Sequence, residues 1–316
     1  MAFRFNHDDL TAHDGLRRLA TERARRALAV LDNPDLTISE QVFATRKHIK
    51  KLRALLRLIR PNFKGYRQEN EDLRGTAQLI ADLRDHDAIN EALVNLAALT
   101  GLKDTVLVQL SATRPLAEST TQTATGRLST CKTSLKAFLG RCAEWDIAGE
   151  DFGCLQPGLE RSWRRAQKAA QAARTTPEVE PIHIWRKRVK DHWYHARLLA
   201  PVWPQMMGPH VAVADQLGKL LGEARDLHLL RLWLESCPET PASVALGAVA
   251  HRREPALLAQ AHDLSDRLFT DQAACLSARW GKWWKDWRSQ PPHANQPQTN
   301  SPASARPISA TVSSTP

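Results

Sequence analysis

The chain has 316 residues, with 44 Lys or Arg against 34 Asp or Glu, a formal charge of +10 and a pI of about 9.7. A hydrophobic content of 42% is enough for a buried core, yet no apolar run approaches the roughly 18 residues of a membrane span. The basic excess argues against a cationic partner and for a polyanionic one, with nucleic acid the general default.

In chain order, Ala, Leu, Arg, Gln and Glu dominate, and apolar residues recur at spacings of three and four. Helices are expected at 11–31, 40–60, 68–98, 104–145, 157–174, 180–199, 208–236, 241–252 and 254–288. Breaks are expected at Asn33-Pro34, Pro61-Asn62, Gly101, the 146–157 loop, Thr176-Pro177, Pro201 to Pro204 and Pro238 to Pro241. The second helix should start after Thr37 or Ser39 and stop before Pro61. No segment alternates as a strand would, so the fold class is all-α. The stretch 289–316, rich in Pro, Ser, Thr, Asn and Gln, is expected to be a disordered tail. The N-terminus, MAFRFNHDDL, lacks an apolar signal core and reads as cytoplasmic. Five Cys without a CxxC read as reduced, mostly buried thiols.

The chain carries a duplication. VFATRKHIKKLRALLRLIRP (42–61) matches IHIWRKRVKDHWYHARLLAP (182–201) at an offset of 140, pairing Arg46 with Arg186, Lys47 with Lys187, Lys50 with Lys190, Arg57 with Arg197 and Pro61 with Pro201. Farther on, 80–93 matches 221–234 at offset 141, with Arg84-Asp85 opposite Arg225-Asp226. Two matched segments in the same order imply two related halves, 1–145 and 157–288, joined by a linker at 146–156. Long helices with short connections suggest two antiparallel helical bundles side by side.

The run Thr45 to Arg60 holds seven Lys or Arg and no acid. On a helical wheel Val42, Ile49, Leu52, Leu56, Ile59 and Phe63 form the core stripe. Arg46, Lys50, Arg53, Arg57, Arg60 and Lys64 form a second stripe that is cationic at every position. A solvated face usually mixes signs, and six like charges in a row forgo on the order of 2 kcal/mol. That cost points to a surface built for an anion. The second copy offers His183, Arg186, Lys187 and Lys190, continued by Trp193, Tyr194 and Arg197, and a third patch holds Arg161, Arg164, Arg165 and Lys168. Three such faces lining one groove would suit a long or highly charged anion, and Arg forks with flexible Lys suit phosphate oxygens.

At these residues the chain resembles the CHAD family, the conserved histidine α-helical domain. HIWRKRVKDHWYHARLL follows the family pattern His-x-x-Arg-Lys-x-x-Lys, LGEARDLHLL resembles the block after it, and RKHIKKLRALLRLIRP with LRDHDAINEAL looks like the other half-site. With LERSWRRAQKAA, the resemblance covers about 1–288. It implies two pseudo-symmetric four-helix bundles with a basic central groove or pore, inorganic polyphosphate as the partner, and association with polyphosphate granules. By matched position the binding residues are His183, Arg186, Lys187 and Lys190, with Arg46, Lys47, Lys50 and Arg53 from the first copy. The basic stripes add Arg57, Arg161, Arg165, Lys168 and Arg197. The first copy departs from the pattern, having Phe43 where the family expects the histidine matched to His183, and His48 lies on another face. Only about ten residues precede the first helix, so the triphosphate-processing domain that sometimes precedes this family is not expected.

Other candidates are weaker. His192 and His195 have a spacing metal ligands use, but they lack flanking carboxylates, so no metal or other cofactor is expected. The acids of 82–91 are expected to pair with cations, Asp85 or Asp226 steadying the basic stripes. Trp280, Trp283, Trp284 and Trp287 share one helix face and are expected in the core. No nucleophile elbow, P-loop or paired catalytic carboxylates occur, so no enzyme is expected. His183 is expected to gain charge as pH falls below about 6.5. The favoured reading is electrostatic binding of polyphosphate. A nucleic-acid-binding helical protein, with nucleic acid otherwise a weaker competitor, and a granule-associated structural adaptor stay open.

Overall fold

Helix signals in the sequence account for most of the elements of the computed structural model, which describes residues 3–81, 93, 94, 96, 121–176 and 178–290. Among these the regular structure is helical, with no strand. Nine α-helices are described: α1 Ala12–Leu31, α2 Ile38–Ile59, α3 Tyr66–Leu79, α4 Thr121–Cys142, α5 Gln156–Thr175, α6 Val179–Leu199, α7 Pro204–Ser236, α8 Pro241–Leu268 and α9 Ala273–Ser289. Thr11 caps α1 by accepting from the Asp14 amide, and Thr37 with Glu40 closes a capping box on α2. Both matched helices end in a proline-containing 3-10 turn, Arg60–Asn62 after α2 and Ala200–Val202 after α6. The missing proline N–H stops each α-helix at the same point of the repeat.

Several expected boundaries move: the helix expected over 68–98 ends at Leu79, and the one expected over 208–236 already begins at Pro204 and runs through Pro209. The break at 253 is absent, and α8 runs through Pro255, which sits on the exposed face where water can meet the carbonyl it leaves unbonded. The chain turns instead at Phe269–Gln272. The acids at 82–91, the Arg84-Asp85 match, Gly101 and the tail beyond 290 lie outside the described residues.

Helices α1 to α4 pack among themselves, as do α5 to α9, and the two sets meet where α2 lies on α5 and α6. The buried apolar side chains form one continuous core from Phe3 to Trp287. A smaller cluster lies around Leu93, Leu96, Leu227, Leu230 and Leu246. Trp163, Trp185, Trp280, Trp284 and Trp287 are fully buried. Trp283 is not, and lies on the rim edge-on to Trp203, 5.0 Å between ring centres. The α2–α5 join is a backbone contact: a Cβ on Gly158 would stand 1.6 Å from the Leu58 carbonyl oxygen.

Candidate functional site

The two helices that carry the matched basic runs touch each other. His195 Nε2 lies 2.9 Å from the Ala54 carbonyl oxygen, and Arg57 Nη1 donates to Asp191 Oδ1 at 2.8 Å. Small Ala54 permits the approach, and Arg57 of the basic stripe reaches across to the facing helix. Two clusters of cations result, flanking the contact.

The first cluster gathers around Asp191. Its second oxygen accepts from Arg188 Nη1 at 2.8 Å, so one buried carboxylate of α6 holds Arg57 of α2 and Arg188 of its own helix. Burial, then repulsion from Arg57, pushes Arg53 down to about 10, while its Nε donates to Asn70 Oδ1 at 3.3 Å. Burial and neighbouring cations also lower Lys187, Arg188 and Arg165; Arg188, Arg161 and Arg60 act on Arg165. Beside this cluster Arg60, Arg161, Arg164, Arg165 and Lys168 line an open recess of about 620 Å3 with Pro61 and Pro157. Cations from α2, α5 and α6 therefore share one region, held close at a cost in mutual repulsion.

The second cluster lies along α7 and the N-terminal arm. Arg186 runs over Gly222 and Lys190 over Gly218, where a Cβ would come within 3.1 Å and 2.9 Å of their side chains. Lys190 Nζ bonds Asp215 at 3.3 Å and stands 3.3 Å from the centre of the Trp193 ring, which Arg197 also faces at 4.7 Å. Burial pushes Lys190 down to about 8 against the opposing pull of Asp215. Lys51 is likewise pushed down to about 8, by burial and then by Arg23, Arg197, Lys47 and Arg26. Phe3 sits beneath it, its ring centre 6.0 Å from Lys51 Nζ and 5.6 Å from the Arg23 guanidinium, and edge-on to Tyr194. The Phe5 amide donates to the Leu198 carbonyl at 3.1 Å and anchors this arm.

The expected residues thus fall into groups. Arg53, Arg57, Arg161, Arg165 and Lys187 belong with the first cluster, and Lys168 lines its recess. Arg186, Lys190 and Arg197 belong with the second. Arg46 leans away onto α3, donating to the Ala77 carbonyl at 3.2 Å. Lys47 lies 4.9 Å over the Phe43 ring, and Lys50 is exposed. His183 corrects an expectation: burial, then Lys187 and Arg225, push it down to about 4, so it does not charge near pH 6.5. His48 is pushed to about 4 for the same kind of reason.

Asp226 pairs with its neighbour Arg225 at 3.2 Å, and Asp85 lies outside the described residues. Among the described residues, Asp191 and Asp215 pair with cations of α2 and α6. Sequence reasoning passed over Arg188, Asp191 and Lys51. Arg188 and Asp191 fall where the repeat mismatches, opposite His48 and Lys51. A mismatch with a change of charge was the signal available.

His192 Nε2 pairs with His210 Nε2 at 2.8 Å within an aromatic box of Trp163, Phe269 and Trp280. Among the described residues no group of three or more His, Cys, Asp or Glu is placed to hold a metal. Cys131, Cys142 and Cys154 are buried, Cys237 partly so and Cys275 exposed, all as free thiols. No helix among the described residues is long and apolar enough to cross a membrane. The arrangement offers concentrated positive charge from several helices, a means of holding a polyanion.

No curated protein matches the chain. The CHAD domain matches residues 16–235, and the chain belongs to that family, one generally of non-catalytic binding domains and associated with polyphosphate binding.

Proposed function

We propose that this protein binds inorganic polyphosphate by electrostatic capture, on the cationic surface where α2, α5 and α6 meet. The crowding of Arg53, Arg57, Arg165, Lys187 and Arg188 carries the reading: burial or mutual repulsion disfavours the charged forms of most of them, and a bound polyanion would reverse that penalty. Arg forks grip phosphate oxygens two at a time, and the recess lined by Arg60, Arg161, Arg165 and Lys168 extends the charged track. A pseudo-symmetric pair of bundles with this groove between them, and a cytoplasmic site at polyphosphate granules, complete the proposal.

Each contact releases counterions, so affinity should fall steeply with salt, as it does for nucleic acids. The test is a titration with polyphosphate of graded lengths at two salt concentrations, with duplex DNA or RNA as competitor. Retention of polyphosphate against an equal concentration of nucleic-acid phosphate supports the reading. Displacement by nucleic acid favours the nucleic-acid-binding alternative.

A further inference from the structure

We propose that Lys51, above the Phe3 ring, forms a second phosphate seat with Arg26, Lys47 and Arg197, and that this seat holds the polyanion more tightly than the Arg57–Arg188 cluster. This rests on the polyphosphate reading.

The argument starts from one position of the repeat. At the offset of 140, Arg57 matches Arg197 and Asp191 matches Lys51. The Arg57–Asp191 pair therefore has Arg197 and Lys51 as its counterpart, and the Phe3 ring joins their helices: Lys51 Nζ lies 6.0 Å from its centre, and Tyr194, three residues before Arg197, stands edge-on to it at 6.2 Å. Three of the four positions keep or allow positive charge, and the fourth is inverted. Lys51 and Arg57 leave α2 about 120° apart, six residues at roughly 100° each, so the two clusters are separate.

The inversion changes what a phosphate meets. At the first cluster both Arg57 and Arg188 already donate to Asp191 at 2.8 Å. An incoming phosphate must share those donors with a buried carboxylate of its own sign. At the second cluster the position of that carboxylate is an ammonium. Lys51 faces an aromatic ring, a weaker partner for an ammonium than a phosphate oxygen. Among the described residues no carboxylate forms a salt bridge with Lys51, and Glu22, 3.9 Å from Arg23, is engaged by Arg18 at 3.0 Å. Lys47 and Arg26 are exposed, and Lys51 and Arg197 are partly so, which leaves a path from solvent. Burial first, and then repulsion from Arg23, Arg197, Lys47 and Arg26, lowers the proton affinity of Lys51, and a bound anion would offset the repulsion.

The experiment is a titration of the full chain with inorganic polyphosphate of one length at fixed salt, comparing wild type, Lys51→Gln and Arg57→Gln. Lys51→Gln should lower affinity about tenfold and Arg57→Gln about threefold or less. Arg57→Gln leaves Asp191 with one fewer donor, so the exposed pair Arg26→Gln and Arg165→Gln gives the same ranking without touching a buried ion pair. Equal losses, or a larger loss at Arg57 and Arg165, overturn the second seat while leaving polyphosphate binding intact. Wild-type protein that binds no polyphosphate overturns both.

Discussion

Where α2 buries Leu52 and Leu55, α6 buries His192 and His195, and where α2 carries Lys51, α6 carries Asp191. The two helices share a repeat, end in matched proline turns and lie in contact, yet they divide the chemistry. The α2 seam is aliphatic, and its ionisable groups stand on the edges. The α6 seam holds polar groups: His195 lies on the Ala54 carbonyl, His192 pairs with His210, and Asp191 joins Arg57 to Arg188. Asp215 adds a second counter-charge beside Lys190. The α2 helix thus supplies standing positive charge, whereas α6 carries groups that neutralise part of it and others that respond to acid.

The largest effect should come from breaking the join between the two sets of helices. Gly158→Ala puts a Cβ 1.6 Å from the Leu58 carbonyl oxygen, and backbone cannot swing aside as a side chain can. The expected loss is on the order of 4 kcal/mol, or failure to fold. Urea denaturation followed by far-UV circular dichroism measures it. A midpoint near that of wild type would mean that α5 does not rest on α2 at this point.

Next comes acid. Burial holds His195 and His210 at about 4, and His192 moves in the same direction. The unfolded chain, with histidines near 6.5, binds more protons between these values. Stability is therefore full above about pH 6.5 and declines as pH falls towards 4. His195 and His210 should each cost about 1.5 kcal/mol between pH 6.5 and pH 5. Denaturation midpoints across that window should show the decline. His195→Leu, which copies Leu55, should flatten part of it, and an unchanged slope would show that His195 is not held neutral by the fold.

Much of the helical frame was legible because its signals are local. Thr37 with Glu40, Pro61 and Pro201 mark ends through the chain's own hydrogen bonding. The turn at Phe269–Gln272 was not, since it has neither Gly nor Pro. Its carbonyls are met by a distant helix: Trp163 and Gln167 on α5 donate to Asp271, and Gln167 also to Phe269. Pro255 misled in the other direction because its exposed face could not be known from local sequence. The basic stripes were readable from helical spacing. Which edges would meet depended on how α2 lies against α6, and so Arg188 and Asp191 were overlooked. His183 looked like a pH-responsive group until its burial and its cationic neighbours were known.

A smaller test works on the inverted position itself. Lys51 is held at about 8, below the usual 10.5, so its charged form opposes folding. In wild type the unfolded chain binds the extra proton between those values, and stability should rise with pH from 8 to 10.5. Lys51→Met should remove that rise and add about 1 to 2 kcal/mol at pH 7. It should also weaken polyphosphate binding. A destabilised Lys51→Met would mean that the ammonium has a compensating partner.

The smallest effect should come from Gly222→Ala, and it separates a tight contact from a fixed one. The new Cβ would lie 3.1 Å from Arg186 Nη2 and 3.2 Å from Nε, against 1.6 Å from backbone at Gly158. The guanidinium needs to yield only a few tenths of an ångström, and its side chain has the torsions to do so. Replacing Gly by Ala inside a helix meanwhile stabilises it by up to about 1 kcal/mol. The two effects should nearly cancel, leaving stability within about 0.5 kcal/mol of wild type while polyphosphate affinity falls about twofold. Thermal denaturation and the binding titration together decide. A stability loss above about 2 kcal/mol would place Arg186 among the rigid packing elements of α7, because an adjustable cation cannot transmit so large a penalty from so small a displacement.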